Sequence, residues 1–375
     1  MRILLSLMLA FMTAAVYGST LQIFDKSKHN VDQSVHNKDY TDNLNLSSMI
    51  LPVDTSLFVK DKLWYNWCNS VVKGEDGKYH LFYARFPKSV GFNSWLVFSE
   101  IAHSVGDTPV GPYVYKETVM PPRPGHWDAI NAHNVKVEKF GEKYYMYYIS
   151  TNNKGIGELN DSTLRAVGRI GFGHPLWMPI RNNQRSGVAV SNSVNGPWKR
   201  LEKPIVEPHG PISHVTVNPS VVKGPDKQFY MIVKGDDIKE TRYARLIQAV
   251  GVSKSPTGPF KLLNKPAFDD IETEDASVWY DKKRSRFYAI FHAQGKDYIG
   301  LITSEDGKEW KKAKNFVVCK KQLILPDGSI YKINRMERPS VYQENGELKM
   351  LSFAVMKGND AFIVFLSLKS ESEIK

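Results

Sequence analysis

Four stretches of this chain gather acids, imidazoles and guanidinium groups just ahead of apolar runs. They are Trp127-Asp128 with His133-Asn134, His214 with Asn218, Glu274-Asp275, and Arg335-Met336-Glu337-Arg338. Carboxyl and imidazole groups held against a substrate move protons. Arginines clamp carboxylate or sulfate groups with paired N–H donors. Asp128 and Glu337 stand first as a base and acid pair. Glu274 and Asp275 are adjacent, so on a strand only one of them faces a given side. The other reading of each is structural: an ion pair for Glu337, a loop cap for Asp128, a satisfied buried histidine for His133.

These groups lie far apart in sequence, so something must bring them together. The apolar runs behind them supply it, because they repeat. The openings read Asn69-Ser70-Val71-Val72, Asn134-Val135-Lys136-Val137, Asn218-Pro219-Ser220-Val221-Val222, Asp275-Ala276-Ser277-Val278 and Arg338-Pro339-Ser340-Val341, at spacings of 65, 84, 57 and 63 residues. Each is followed by a turn and an aromatic-rich strand, such as Tyr144-Tyr145-Met146-Tyr147-Tyr148 or Phe287-Tyr288-Ala289-Ile290-Phe291. A second motif repeats between them: a strand ending in Ser, a Gly-centred turn and an aromatic, as in Gly111-Pro112-Tyr113, Gly196-Pro197-Trp198, Gly258-Pro259-Phe260 and Gly307-Lys308-Glu309-Trp310. Hairpin repeats of this length predict an all-β fold, a five-bladed β-propeller of four-stranded antiparallel blades with little helix. The blades fall at about 60–120, 121–205, 206–265, 266–325 and 326–372. Blade symmetry then places the polar openings on one rim of one channel. Blade 2 carries the longest insertion, 152–184, read as a loop that walls a cleft.

The 375 residues, 42% hydrophobic and 24% charged, suffice for one large repeat domain. Residues 1–18 read as a signal peptide, with Arg2 before a short apolar run. Residues 19–55 read as a polar arm and 56–375 as the propeller. The protein is therefore expected to be exported, periplasmic or extracellular, with no membrane contact after cleavage. Cys68 and Cys319 either pair in that compartment or stay buried thiols; two cysteines make no zinc cluster. The net charge of +11 favours acidic partners. Without long basic runs, nucleic acid is excluded, and an anionic or sulfated glycan fits better. No phosphate loop, Gly-x-Ser-x-Gly elbow or His-Glu-x-x-His helix occurs.

The elements Trp127-Asp128…His133-Asn134, Glu274-Asp275-Ala276-Ser277-Val278-Trp279-Tyr280 and Arg335-Met336-Glu337-Arg338-Pro339 resemble the five-bladed glycoside hydrolases of family 43 and their relatives in families 32, 62, 68 and 117. The resemblance covers roughly residues 55–370. It implies an exported glycosidase acting on a plant or algal polysaccharide or oligosaccharide, exo-acting and inverting. Two carboxyl groups would do this chemistry, one protonating the leaving oxygen and one activating water. Catalytic candidates are Asp128, Glu337, Asp275, Glu274 and His133. Substrate-binding candidates are Trp127, Asn134, His214, Asn218, Arg335, Arg338, Asn69, Trp95 and Arg185. Trp127, Trp95 and Trp64 offer faces for pyranose rings. Where families 43 and 32 place an Asp at the first blade, this chain has Asn69, with only Asp61 and Glu100 as nearby acids. Family 117 uses a histidine where an acid is expected, so His133 or His214 could donate the proton. No metal ligand set or cofactor is expected, although relatives allow a calcium ion in the channel. The alternatives are a non-catalytic carbohydrate-binding propeller, or a polysaccharide lyase acting on an acidic glycan.

Overall fold

A computed structural model describes residues 41–239 and 245–374. The proposed signal peptide and most of the polar arm lie outside the described residues. Apolar strands, the inner ones buried along nearly their whole length, are separated by Gly-bearing turns and fold into successive antiparallel sheets. Blade 1 is β1 (Trp64–Lys73), β2 (Tyr79–Pro87), β3 (Glu100–Gly106) and β4 (Val114–Met120); blade 2 is β5 (His133–Phe140), β6 (Lys143–Ser150), β7 (Arg185–Ser191) and β8 (Lys199–Arg200). Blade 3 is β9 (Ile212–Lys223), β10 (Phe229–Asp237), β11 (Leu246–Ser253) and β12 (Lys261–Phe268); blade 4 is β13 (Thr273–Asp281), β14 (Arg286–Ala293), β15 (Tyr298–Ser304) and β16 (Lys311–Lys320). After a small hairpin, β17 (Leu323–Ile324) and β18 (Ile330–Tyr331), blade 5 is β19 (Arg335–Glu344), β20 (Glu347–Lys357) and β21 (Asp360–Ser367). The edge place beside β21 goes to the segment ahead of blade 1, through the bridges Ile50–Leu368 and Val59–Ile363. The ring is thus closed by joining the chain's early residues to its last blade, which leaves no long open edge there.

The core lies between blades. Tyr147, Val188, Val221, Met231 and Val233 pack blade 2 on blade 3, while Ile290, Leu301, Met336, Phe353 and Phe362 pack blade 4 on blade 5. The second strands carry aromatic rings into these layers, among them Tyr147, Tyr148, Tyr288 and Phe291. Each such ring, fully buried, contributes roughly 1.5–3 kcal/mol relative to exposure. The three Gly-Pro turns read from the sequence hold cis peptides at Gly111-Pro112, Gly196-Pro197 and Gly258-Pro259.

Helix is scarce but not absent: α1 (Leu46–Met49), α2 (Trp95–Phe98), α3 (Asp161–Ile170) and α4 (Trp177–Asn182). The blade 2 insertion, read as a loop, therefore carries two helices. Asn160 caps α3 by accepting the N–H of Thr163 at 2.8 Å, and Asp161 pairs with Arg165 one turn on at 2.6 Å. Leu96, Val97, Val167, Trp177 and Ile180 bury together, so the insertions of blades 1 and 2 share one small core. Cys68 and Cys319 are both free thiols. No helix among the described residues is long and apolar enough to cross a membrane.

Candidate active site

Every inner strand carries a bulge at the same height. The ladder register breaks between Trp67 and Asn69, His133 and Lys136, Glu274 and Ser277, and Glu337 and Ser340, and on the partner strand between Ile232 and Lys234. At each bulge one residue takes a left-handed backbone: Cys68 (φ 47°), Asn134 (51°), Asn218 (57°), Asp275 (60°) and Arg338 (56°). Asn and Asp tolerate this region; for Cys and Arg it stores roughly 1–3 kcal/mol of strain. The five side chains meet around the axis. The Cys68 thiol donates to Asn134, Asn134 to Asn218, Asn218 to Asp275, and Arg338 to the same Asp275 oxygen. A cavity of only 20 Å³ lies at this ring, room for about one water. Lys136 closes the channel beyond it, donating to the Pro339 carbonyl at 2.8 Å.

This geometry corrects the blade 1 register. Cys68, not Asn69, stands where Asn134 and Asn218 stand. Asn69 is the next residue and accepts the Ser352 hydroxyl at 2.5 Å. An asparagine one place beyond the bulge imitated the repeat, and only backbone conformation separates the two positions.

Just before the ring, Glu274 of blade 4 and Glu337 of blade 5 face the mouth. Asp275, His292 and Glu337 each offer one atom within 4.8 Å of the others. His292 ends β14, opposite Glu274. Its Nδ1 lies 3.8 Å from Asp275 Oδ2, and both atoms are buried without a hydrogen-bond partner. Lys234 pairs with Glu274 at 2.5 Å, and Arg335 with Glu337 at 2.7 Å. Burial opposes the charge on Glu274, yet the Lys234 ammonium outweighs it and holds the carboxyl well below its usual range. Burial opposes the charge on Glu337 as well. His292 when protonated, with the permanent charges of Arg335 and Arg338, pulls it below the usual range. Burial, reinforced by the charge on Glu274, raises Asp275 against the pull of Arg338. Burial lowers His292, which keeps its imidazole neutral at pH 7.

Across the mouth, His214 (φ 57°) is exposed. Its Nδ1 is hydrogen-bonded with the Ser213 hydroxyl at 3.1 Å and also lies 3.1 Å from Asp236, a buried carboxylate that takes both Nη groups of Arg181 at 2.5 Å. Arg181 comes from α4, so the blade 2 insertion reaches blade 3 at this rim. An imidazole oriented by a buried carboxylate leaves Nε2 free to give or take a proton.

The remaining sequence candidates divide. Arg335 is half-exposed and stacks over Trp67 and Phe92, with its carbon 5.6 and 5.3 Å from the ring centres. Arg338, Asn134 and Asn218 are spent on the ring. Arg185 is held by Glu207 at 2.8 Å and by the His214 carbonyl at 2.9 Å. His133 is buried, bonded through Nδ1 to the Ser99 hydroxyl at 2.7 Å and stacked on Trp95 at 5.4 Å. Burial, with the nearby charges of Arg338 and Lys234, lowers its pKa and keeps the ring a neutral imidazole, not an imidazolium acid. Asp128, expected at the channel, is instead sealed in the outer part of blade 2 at 0% exposure. Arg123 at 2.8 Å, Tyr148 at 2.8 Å and Arg200 at 3.2 Å fill its oxygens. Trp127 packs on Tyr148 and donates to the Leu201 carbonyl at 3.1 Å, so it is blade packing and offers no free face. Trp64 is covered by Arg85, 4.4 Å from its ring centre. Asp61 caps the Leu63 N–H at 2.7 Å, and Glu100 pairs with Arg85 at 2.7 Å.

His292, Lys234 and Asp236 lie at the ends of second strands, not at the strand openings where the sequence repeat is visible. In a blade the second strand runs back to the same rim, so its last residues also face the mouth. The polar endings Lys234-Gly235-Asp236-Asp237 and His292 after apolar runs were the available signal.

Calcium fits this site poorly. It takes 6–8 oxygens, whereas Asp275, His292 and Glu337 offer two carboxylates and a nitrogen beside Arg338, Lys321 and Lys234. A cavity of 1090 Å³ opens at the other end of the channel. There Glu344 is pinned by Lys73 at 2.6 Å. The paired acids and His214 lie at the opposite rim, away from this cavity.

No family model matches the sequence, and no curated protein does. Solved structures do match. One described as a glycoside hydrolase superposes with a TM-score of 0.58 at 14% identity, over 86% of this chain and 92% of that one. A family 117 glycoside hydrolase of the marine bacterium Zobellia galactanivorans gives 0.58 at 12%, over 87% and 92%. A family 43 β-xylosidase/α-arabinofuranosidase from a compost microbial metagenome gives 0.52 at 16%, over 86% and 94%. At these identities the likeness is one of architecture: the chain has the five-bladed propeller fold that these glycoside hydrolases share.

Proposed function

We propose that this protein is an exported glycoside hydrolase that cleaves a plant or algal oligosaccharide or polysaccharide at the rim bearing Glu337. One observation carries the reading: Glu274, Asp275, Glu337 and His292 converge at a channel mouth with two buried polar atoms left unpaired. A carboxylate oxygen and an imidazole nitrogen held side by side in this way can serve a ligand or a proton transfer. The fold shared with glycoside hydrolases supports the same reading.

In this mechanism Glu337, ionised by its arginine neighbours, is the base that activates water. His214, steered by Asp236, protonates the leaving oxygen. His214 stands on blade 3 and Glu337 on blade 5 with blade 4 between them, and the reading requires the ~6.5–9.5 Å separation of inverting enzymes. Asp275 and Glu337, within 4.8 Å, are too close to be that pair. Arg335 and Lys321 would bind an anionic group on the substrate, and the insertion built on α3 and α4 favours exo action by walling one side. Release of reducing sugar from anionic and neutral oligosaccharides, with NMR of the first-formed anomer, tests the reading. Inverted product that disappears in Glu337→Gln supports it; no hydrolysis across the panel contradicts it.

A binding-only propeller is the second reading. Blades 1, 2 and 3 offer Trp67, His133 and Val217 where blades 4 and 5 offer Glu274 and Glu337, so at this position only two of the five blades supply an acid.

A further inference from the structure

The far end of the channel repeats one residue. Lys73, Lys139 and Lys223 stand five places after Cys68, Asn134 and Asn218, at the same position of three consecutive blades. Lys282 follows just after β13. All four are exposed and line the 1090 Å³ cavity. Lys73 is paired with Glu344. Among the described residues Lys139, Lys223 and Lys282 have no carboxylate partner within 4.0 Å. Lys139 and Lys223 instead stand over rings of their own blades, 5.0 Å from the Tyr144 centre and 5.8 Å from Phe229. Such stacking fixes a lysine's direction without neutralising it. The other acid at this mouth, Glu138, is half-buried beside Lys136, and burial pushes it up to about 7. The wall therefore presents positive charge with little opposing it.

We infer that this wide mouth is a second binding site, for a short oligosaccharide carrying two or more sulfate or carboxylate groups. A cavity of 1090 Å³ is at the upper end of small-molecule sites, ~300–1,000 Å³, and so admits a few sugars rather than a single ion. Lysines spread over blades 1 to 4 ask for several anionic groups at once. That the anion is a sugar rests on the proposed function; that the site takes anions does not. The ring and Lys136 separate it from the acidic mouth, so it would hold glycan while the other end works.

The test uses the full chain, a sulfated oligosaccharide, its desulfated counterpart and inorganic sulfate, with binding followed by calorimetry at low and high salt. Wild type and Glu337→Gln should both bind the sulfated sugar. The variant Lys139→Ala/Lys223→Ala/Lys282→Ala, with far-ultraviolet dichroism confirming its fold, should bind about tenfold more weakly or worse, as three exposed ion pairs allow. High salt should weaken wild type and leave the variant little changed. Equal binding by wild type and the triple variant overturns the inference. So does binding lost in Glu337→Gln, preference for the desulfated sugar, or no binding at all. Tight binding of inorganic sulfate with none of the sugar would keep the anion site and refute its ligand class. Hydrolysis is read separately, so a failed glycosidase proposal and a failed far-mouth site give different results.

Discussion

Glu337→Gln and Asp128→Asn should fail in opposite ways. Glu337 is 8% exposed at the mouth, and its partner Arg335 is half in solvent. Glutamine keeps the shape and removes the charge. The lost ion pair is nearly a surface one, so stability should fall by about 1 kcal/mol or less. Loss of the base should lower kcat by about 10²–10⁴, which is ~3–5 kcal/mol of barrier. Asp128 is sealed between Arg123 and Arg200. Neutralising it strands two guanidiniums against a buried amide, and removing one partner of a buried pair costs about 3–5 kcal/mol. Asp128→Asn should therefore melt much earlier yet keep near wild-type kcat per folded molecule. Thermal melts with kcat measured below the lower melting temperature separate the cases. Full activity in Glu337→Gln, or an unchanged melting temperature with lost kcat in Asp128→Asn, would refute the placement of these acids.

Other expectations follow from single contacts. Asp236→Asn removes the group that steers His214 and should lower kcat about tenfold or more while flattening one limb of the pH–rate profile; an unchanged profile would exclude His214 as the acid. Glu138 titrates near 7 when folded, above its unfolded value, so folding loses stability as pH rises from about 4.5 to 7. Because that side chain is only half-buried, Glu138→Gln should gain about 1 kcal/mol at pH 8 and nothing at pH 4, a difference read from urea melts at the two pH values. For Glu337 the sign reverses: its folded pKa is lowered, so its stabilisation is present above the unfolded carboxylate range and lost as pH falls through the folded value. Acid melts of wild type should converge with those of Glu337→Gln. Gly187→Ala would bring a methyl group to 2.5 Å from Trp127, costing about 1–3 kcal/mol by overpacking; if it lowers substrate affinity without lowering stability, Trp127 is a binding residue after all.

The return of a polar opening with a valine one to three places on made the five inner strands legible, because strands buried nearly throughout leave apolar runs that sequence carries directly. The acids of blades 4 and 5 were legible for the same reason. Asp128 was not: its type and place matched the others, and only the arginines folding over it from 123 and 200 show that it is spent. Cys68 escaped because a left-handed bulge residue has no required type. The helix α3 escaped because its Asn160 cap and Asp161–Arg165 pair lie within a Gly-rich insertion that reads as loop. His292 and Lys234 depend on where second strands end, a matter of register that the strand openings do not reveal.

The central claim is that a sugar is cleaved at the rim where Glu337 meets His214. A structure of Glu337→Gln with an uncleaved oligosaccharide tests it most directly. The account predicts the scissile linkage between residue 337 and His214, with the glycosidic oxygen within hydrogen-bond reach of His214 Nε2. A sugar bound only at the lysine-lined end, or only on an outer blade face, would contradict it.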